Sequence, residues 1–234
     1  MRYRFEYKYL LNAHTATILR GRAAAVMCPD ANSSNGSYVV NNLYLDDRYD
    51  TFYYEKYHGS FQRDKYRLRH YNGDMSFIRL ERKHKDGYVS YKETMKISEE
   101  QYQKIKSGKM DFILMEEAAL WRKLALIYRL RGLRPAAIYA YRREAFVYDP
   151  GEVRFTFDSP LFDFAKAKTD ILPSYDSLSH SYASPPYSLM LEVKFSGFLP
   201  ELIKRLLDGL PLAHTEMSKY SIARERGFLP YGQI

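Results

Sequence analysis

The chain has 234 residues, 46% of them hydrophobic, with a formal charge of +8 and a pI near 9.3. That is enough chain to bury a substantial core in one domain over residues 1–234, and the composition excludes a disordered or fibrous protein. The positive balance favours acidic partners: nucleotides, phosphate polymers, nucleic acid or an anionic membrane.

Cys28 is the only cysteine, which excludes an intrachain disulfide framework and a thiolate zinc site and suits a reducing compartment. The opening MRYRFEYKYL lacks the apolar region of a signal peptide, and no stretch is apolar over the ~20 residues that a bilayer-crossing helix needs. A soluble cytoplasmic protein is expected.

Period-2 alternation with β-branched and aromatic enrichment predicts strands, in chain order, over Arg2–Leu10, Tyr38–Leu45, Asp64–Tyr71, Ser76–Lys83, Tyr88–Ile97, Ala136–Tyr148, Glu152–Ser159 and Tyr187–Phe195. Asn72-Gly73-Asp74, Lys85-Asp86-Gly87 and Asp149-Pro150-Gly151 mark tight connections, so the pairing should be mainly antiparallel. Helical spacing appears at Ala13–Met27, Glu99–Ser107, Glu116–Arg131, Pro200–Asp208 and Glu216–Arg226, with Ser98 and Gln101 forming a capping box before the second of these. Leu120, Leu124, Ile127 and Leu130 recur every three or four residues and should pack on the outside of the sheet. Pro29–Ser37 and Asp170–Pro186 read as loops. The fold class is therefore α+β, with eight strands, enough to close a β-barrel, and helices packed outside it.

Six stretches carry charge at alternate positions: Arg2-Arg4-Glu6-Lys8, Lys65-Arg67-Arg69, Arg79-Glu81-Lys83, Tyr141-Arg143, Arg154-Thr156-Asp158 and Glu192-Lys194. Side chains two apart on a strand share a face, so each stretch lines one sheet surface with cations and an occasional carboxylate. One solvated face of an ordinary antiparallel sheet is the plain explanation for any single strand. Six strands that return to Arg and Lys are a different matter, because like charges on neighbouring strands repel unless an anion lies between them.

The ordered set of short motifs resembles the triphosphate tunnel enzymes, and within them the vacuolar transporter chaperone (VTC) branch, the polyphosphate polymerase domain. It comprises Arg4-Phe5-Glu6-Tyr7-Lys8, Tyr66-Arg67-Leu68-Arg69, Glu81-Arg82-Lys83, Tyr91-Lys92, Tyr141 to Phe146, Val153 to Asp158, Leu191-Glu192-Val193-Lys194 and Ser218-Lys219-Tyr220. The first motif has Arg4 where the thiamine-triphosphatase and class IV adenylate-cyclase branch has the first Glu of ExExK.

The resemblance implies an eight-stranded tunnel that grips a triphosphate. It implies catalytic roles for Lys8, Arg67, Arg69, Lys83 and Lys219, substrate contacts from Lys92, Tyr141, Arg143, Arg154, Lys194 and Ser218, and a Mn²⁺ or Mg²⁺ ion on Glu192. Glu192 could instead be an ion-pair partner of a neighbouring cation, and Glu6 is open between metal ligation and an ion pair with Arg4. The implied reaction lengthens polyphosphate from ATP. Its rivals are a tunnel triphosphatase and a non-catalytic polyphosphate or nucleotide binder.

His84 is expected to be a solvated hairpin histidine rather than a general base. The remaining histidines lack metal-binding spacing, and no P-loop is present. The many tyrosines should fill the core rather than stack bases, so nucleic acid is not an expected partner. ATP and polyphosphate are. Coupling to transport would need a separate membrane protein.

Overall fold

The computed structural model describes residues 4–33, 36–87, 89–159 and 189–227. The Arg2 position, the expected loop Asp170–Pro186, and the expected strand starts Tyr88 and Tyr187 lie outside the described residues. In chain order the elements are β1 (Arg4–Leu11), α1 (Ala13–Val26), β2 (Cys28–Pro29), β3 (Tyr38–Asp46), α2 (Thr51–Tyr57), β4 (Gln62–Tyr71), β5 (Asp74–Asp86), β6 (Val89–Ile97), α3 (Glu99–Lys106), α4 (Ala119–Arg131), β7 (Arg134–Tyr148), β8 (Val153–Asp158), β9 (Leu189–Ser196), α5 (Glu201–Leu207), β10 (Ala213–His214) and α6 (Lys219–Glu225). Short 3₁₀ turns lie at Asp111–Met115 and Pro150–Glu152. The α+β class and the antiparallel pairing are as expected. Eight long strands match the expected ones, and β2 and β10 add two-residue pairings.

The chain divides into two compact units. The described part of the first covers residues 4–33, 36–39, 141–159 and 189–217, and that of the second covers 40–87, 89–140 and 218–227. In the first, β1 pairs with β9 and β10, β9 with β8, and β8 with the end of β7, all antiparallel. One sheet face carries Phe155, Phe157, Leu191, Val193 and Phe195, which bury against Leu19 and Ala23 of α1 and Ile203 and Leu206 of α5. Burying side chains of this size stabilises by about 1.5–3 kcal/mol each, so this face fixes which side of every strand turns away from the helices.

In the second unit, β3, β4, β5 and β6 pair in that order, all antiparallel. Leu43, Leu45, Tyr66, Leu68, Ile78 and Leu80 form one face and bury against Tyr102 and Ile105 of α3 and Leu120, Trp121 and Leu124 of α4. The expected α4 stripe is corrected at one end: Leu130 is 66% exposed, while Trp121 is almost fully buried. The β5–β6 turn requires Gly87, whose φ is +57° and whose missing Cβ would stand 2.4 Å from the Phe61 ring.

Helix α2 has no apolar helical spacing in the sequence. Two strand-end carboxylates hold it instead: Asp46 accepts the amides of Phe52 (2.9 Å) and Tyr53 (3.0 Å), and Asp47 accepts that of Thr51 (3.0 Å). They satisfy first-turn N–H groups that have no partner within the helix.

Candidate functional site: two cationic sheet faces

In the first unit, the strand faces turned away from α1 and α5 bring Lys8, Glu192, Thr156 and Ala145 into register across β1, β9, β8 and β7. The next positions along add Glu6, Lys194 and Arg154. Lys194 Nζ lies 2.8 Å from Glu192 Oε2, Arg143 approaches the same oxygen at 3.6 Å, and Lys8 pairs with Glu6 at 3.2 Å. Arg143 makes a fork on the fully buried Asp158, with both bonds at 2.6 Å. Its guanidinium carbon lies 5.3 Å from the centre of the buried Tyr141 ring. Arg154 donates through one terminal nitrogen to Asp30 and to Tyr38 Oη (3.0 Å), while its Nε is buried with no hydrogen-bond partner. Among the described residues, the six expected contacts of this unit therefore lie on one sheet face.

The second unit repeats the device with more charge. Four registered rows cross β4, β5 and β6: Arg63, Lys85 and Ser90; Lys65, Lys83 and Lys92; Arg67, Glu81 and Thr94; Arg69, Arg79 and Lys96. Nine cations share this face with one carboxylate, Glu81. Glu81 is 2% exposed, takes Arg67 Nε at 2.6 Å and pairs with Lys92 at 2.5 Å. Burial alone would raise its pKa, but the charges of Arg67, Arg69 and Lys92 outweigh burial and hold it at about 2.

Strand β3 continues two of the rows. Asn42 stands opposite Arg69 and accepts from its Nε at 2.9 Å, and Tyr44 stands opposite Arg67 and accepts from its Nη1 at 3.0 Å. Tyr44 is nearly fully buried, which raises a phenol's pKa, yet Arg67, Lys65 and Arg69 bring it down to about 7.

Helix α6 carries the last expected motif. Ser218 occupies the N-cap position without capping the helix, and its Oγ accepts from Lys65 Nζ at 2.9 Å. Lys219 is half-buried at the first helical position. Tyr220 fixes the helix: its ring stacks on Tyr44 at 4.7 Å and 14°, and its hydroxyl donates to buried Asp46 at 2.6 Å. Arg224 pairs with Asp50 at 2.7 Å.

Sequence reasoning placed the cations but not their counter-ions. In the sequence Asp158 belongs to an alternating strand and ends the motif Val153 to Asp158 without an assigned role, Asp30 falls in an expected loop, and Lys65 is not among the expected site residues. The signal for Lys65 was present, since it shares a face with Arg67 and Arg69. Glu6 pairs with Lys8. His84 is not simply solvated: its Nδ1 lies 2.9 Å from Asp64, which also takes Arg82, on the opposite face of β4 and β5 from Arg67 and Glu81. No helix among the described residues is long and apolar enough to cross a membrane.

Three solved structures share the fold. PH1819 protein from Pyrococcus horikoshii OT3 matches with a TM-score of 0.50 at 13% identity, over 96% of this chain and 99% of that one. A candidate adenylate cyclase from Bacillus halodurans gives 0.51 at 10% identity, over 86% and 84%. Another from Vibrio parahaemolyticus gives 0.51 at 11% identity, over 94% and 97%. At such identities they show a common architecture. The sequence itself goes further: the VTC domain family model matches residues 3–227, and the chain belongs to that family. No curated protein matches the sequence.

Proposed function

We propose that this chain acts as one catalytic domain, a polyphosphate polymerase that moves the γ-phosphoryl group of ATP onto the end of a phosphate chain. A terminal oxygen of the acceptor chain attacks Pγ, the bond from Pγ to the β-phosphate oxygen breaks, and ADP leaves. Such a transfer asks a protein for positioning and charge neutralisation rather than a covalent nucleophile.

The observation that carries this reading is the face of nine cations with one carboxylate in a VTC domain. Arg67, Arg69, Lys83 and Lys219 of the second unit would stabilise the transferring group, and for Lys8 of the first unit the family resemblance implies a catalytic role as well. Lys92, Tyr141, Arg143, Arg154, Lys194 and Ser218 would hold the rest of the phosphates. Arg suits this role through its planar fork, and Lys as a compact charge.

For Mn²⁺ or Mg²⁺ the candidate donor is Glu192. Among the described residues no three His, Cys, Asp or Glu side chains gather as metal donors, and Asp158 is committed to Arg143. Glu192 would offer one carboxylate to the ion, with phosphate oxygens and water as the other donors, a set suited to Mg²⁺. The ion would neutralise charge on those oxygens. Lys194 and Arg143 hold the Glu192 carboxylate in place.

Calorimetric titration tests the binding half of this reading. Tripolyphosphate and ATP should compete for one site, and both should weaken as salt rises, because a multiply charged ligand on many cations is sensitive to screening. Salt-independent or non-competing binding would contradict it. Chain products lengthening from ATP separate a polymerase from a triphosphatase, which would release only free phosphate, and from a binder without turnover.

A further inference from the structure

The third and fourth rows of the second unit differ in their charge balance. Arg67 has Glu81 beside it in the third row. In the fourth row Arg69, Arg79 and Lys96 stand directly opposite one another on β4, β5 and β6, three like charges in register. Such neighbours destabilise a sheet. Arg69 is 9% exposed, donates to Asn42 and feels Glu81. Arg79 and Lys96 are more open to solvent, and among the described residues neither makes an ion pair with a carboxylate. Asp74 feels the charge of Lys96, but its carboxylate accepts the Ser76 amide at 2.8 Å.

Phe77 is what the two cations share. It lies on the same face of β5, is 40% exposed, and has the Arg79 guanidinium 4.5 Å and the Lys96 ammonium 5.6 Å from its ring centre. The ring holds two long side chains over one spot without neutralising either. A local arrangement that costs stability and has no carboxylate to offset it points to a ligand that supplies the missing charge.

We propose that Arg79 and Lys96, held by Phe77, form a subsite for the phosphates of a chain longer than a triphosphate. The subsite rests on the reading that the cationic face binds polyphosphate, and it continues from Arg69 to the end of the face nearest the Asn72–Gly73 turn. Neither cation belongs to the motifs that resemble the VTC branch. The subsite gives this chain a preference for long acceptors that a triphosphate does not sense.

The test compares wild type with the double variant Arg79→Gln, Lys96→Gln by calorimetry against tripolyphosphate, ATP and long-chain polyphosphate at one salt concentration. The half-buried Arg79 and the exposed Lys96 are each worth a modest screened interaction. The double variant should bind long-chain polyphosphate about fivefold more weakly. Its affinity for tripolyphosphate and ATP should be unchanged, which also shows that the variant is folded. Unchanged long-chain affinity, or equal losses for all three ligands, would remove the subsite and leave the main site standing. A selective loss for ATP would overturn the phosphate-chain assignment and make Phe77 a base platform. A selective loss for single-stranded RNA, run as a fourth ligand, would overturn it in favour of nucleic acid. Wild type that binds neither tripolyphosphate nor long-chain polyphosphate would overturn the reading on which the subsite depends.

Discussion

Arg67 and Glu81 face each other across the β4–β5 ladder, joined by a 2.6 Å hydrogen bond that ends in a carboxylate 2% exposed to solvent. The pair explains how Arg67, Arg69 and Lys92 can share one face without a ligand, since a single buried negative charge serves all three. Glu81→Gln should destabilise the protein at pH 7 by about 2–3 kcal/mol, the range for losing a charged partner at a largely buried site. The folded pKa of Glu81 is depressed to about 2, so its contribution is present above the unfolded value of 4.5 and fades as pH falls toward 2. Denaturant melts of wild type and variant should therefore converge at low pH. Equal stability at pH 7 would show that the Glu81 charge is not needed to hold the face together.

Glu192→Gln should abolish metal-dependent turnover while leaving the melting temperature nearly unchanged. The substitution keeps volume and removes the charge that attracts the ion. Activity as a function of Mn²⁺ concentration is the readout, paired with Mn²⁺ binding in the presence of tripolyphosphate. Wild-type activity at low metal would make Glu192 only the partner of Lys194 and Arg143.

Tyr44 should titrate far below an ordinary tyrosine. Its folded pKa is about 7 against 10.0 for an ordinary tyrosine, so the folded state sheds this proton first, and the group adds stability as pH rises between those values. Tyrosinate absorbance of the native protein should show one group ionising near neutrality that is absent in Tyr44→Phe. Tripolyphosphate on Arg67 should push that titration upward by offsetting the cation. If no tyrosine ionises until strongly alkaline pH, the cations do not act on Tyr44 as the geometry indicates.

Tyr220→Phe should keep the stack on Tyr44 and lose the 2.6 Å bond to Asp46, loosening the helix that carries Lys219. The expected result is a roughly tenfold drop in turnover, equivalent to about 1.4 kcal/mol. Lys219→Ala should reduce turnover at least as much, and the double variant no further, because the tyrosine acts through the lysine. Additive losses would show that Tyr220 acts elsewhere, and normal kinetics for Lys219→Ala would leave α6 a surface cap.

The cationic faces were legible because a strand writes its two faces at alternate positions, and Lys65, Arg67 and Arg69 could be assigned to one side without coordinates. Their pairing partners were not, since Arg143 with Asp158, or Arg154 with Asp30, depends on register and on a loop from elsewhere in the chain. Helix α2 was invisible for a related reason. TFYYEKY is a poor helix former, and the groups that start it belong to Asp46 and Asp47 at the end of β3. The apolar spacing of α4 predicts burial correctly at Leu120 and Leu124 and too far at Leu130, whose side chain faces solvent although Arg131 beside it pairs with Asp47.

The central claim is that the cationic faces serve transfer of the ATP γ-phosphoryl group to a growing phosphate chain. Purified protein incubated with ATP and Mn²⁺, with the products resolved on a gel, tests it most directly. The account predicts a ladder of phosphate chains that lengthens with time as ADP accumulates, and that disappears in Glu192→Gln. Release of free phosphate without chains, or no consumption of ATP by a protein that binds polyphosphate tightly, would contradict it.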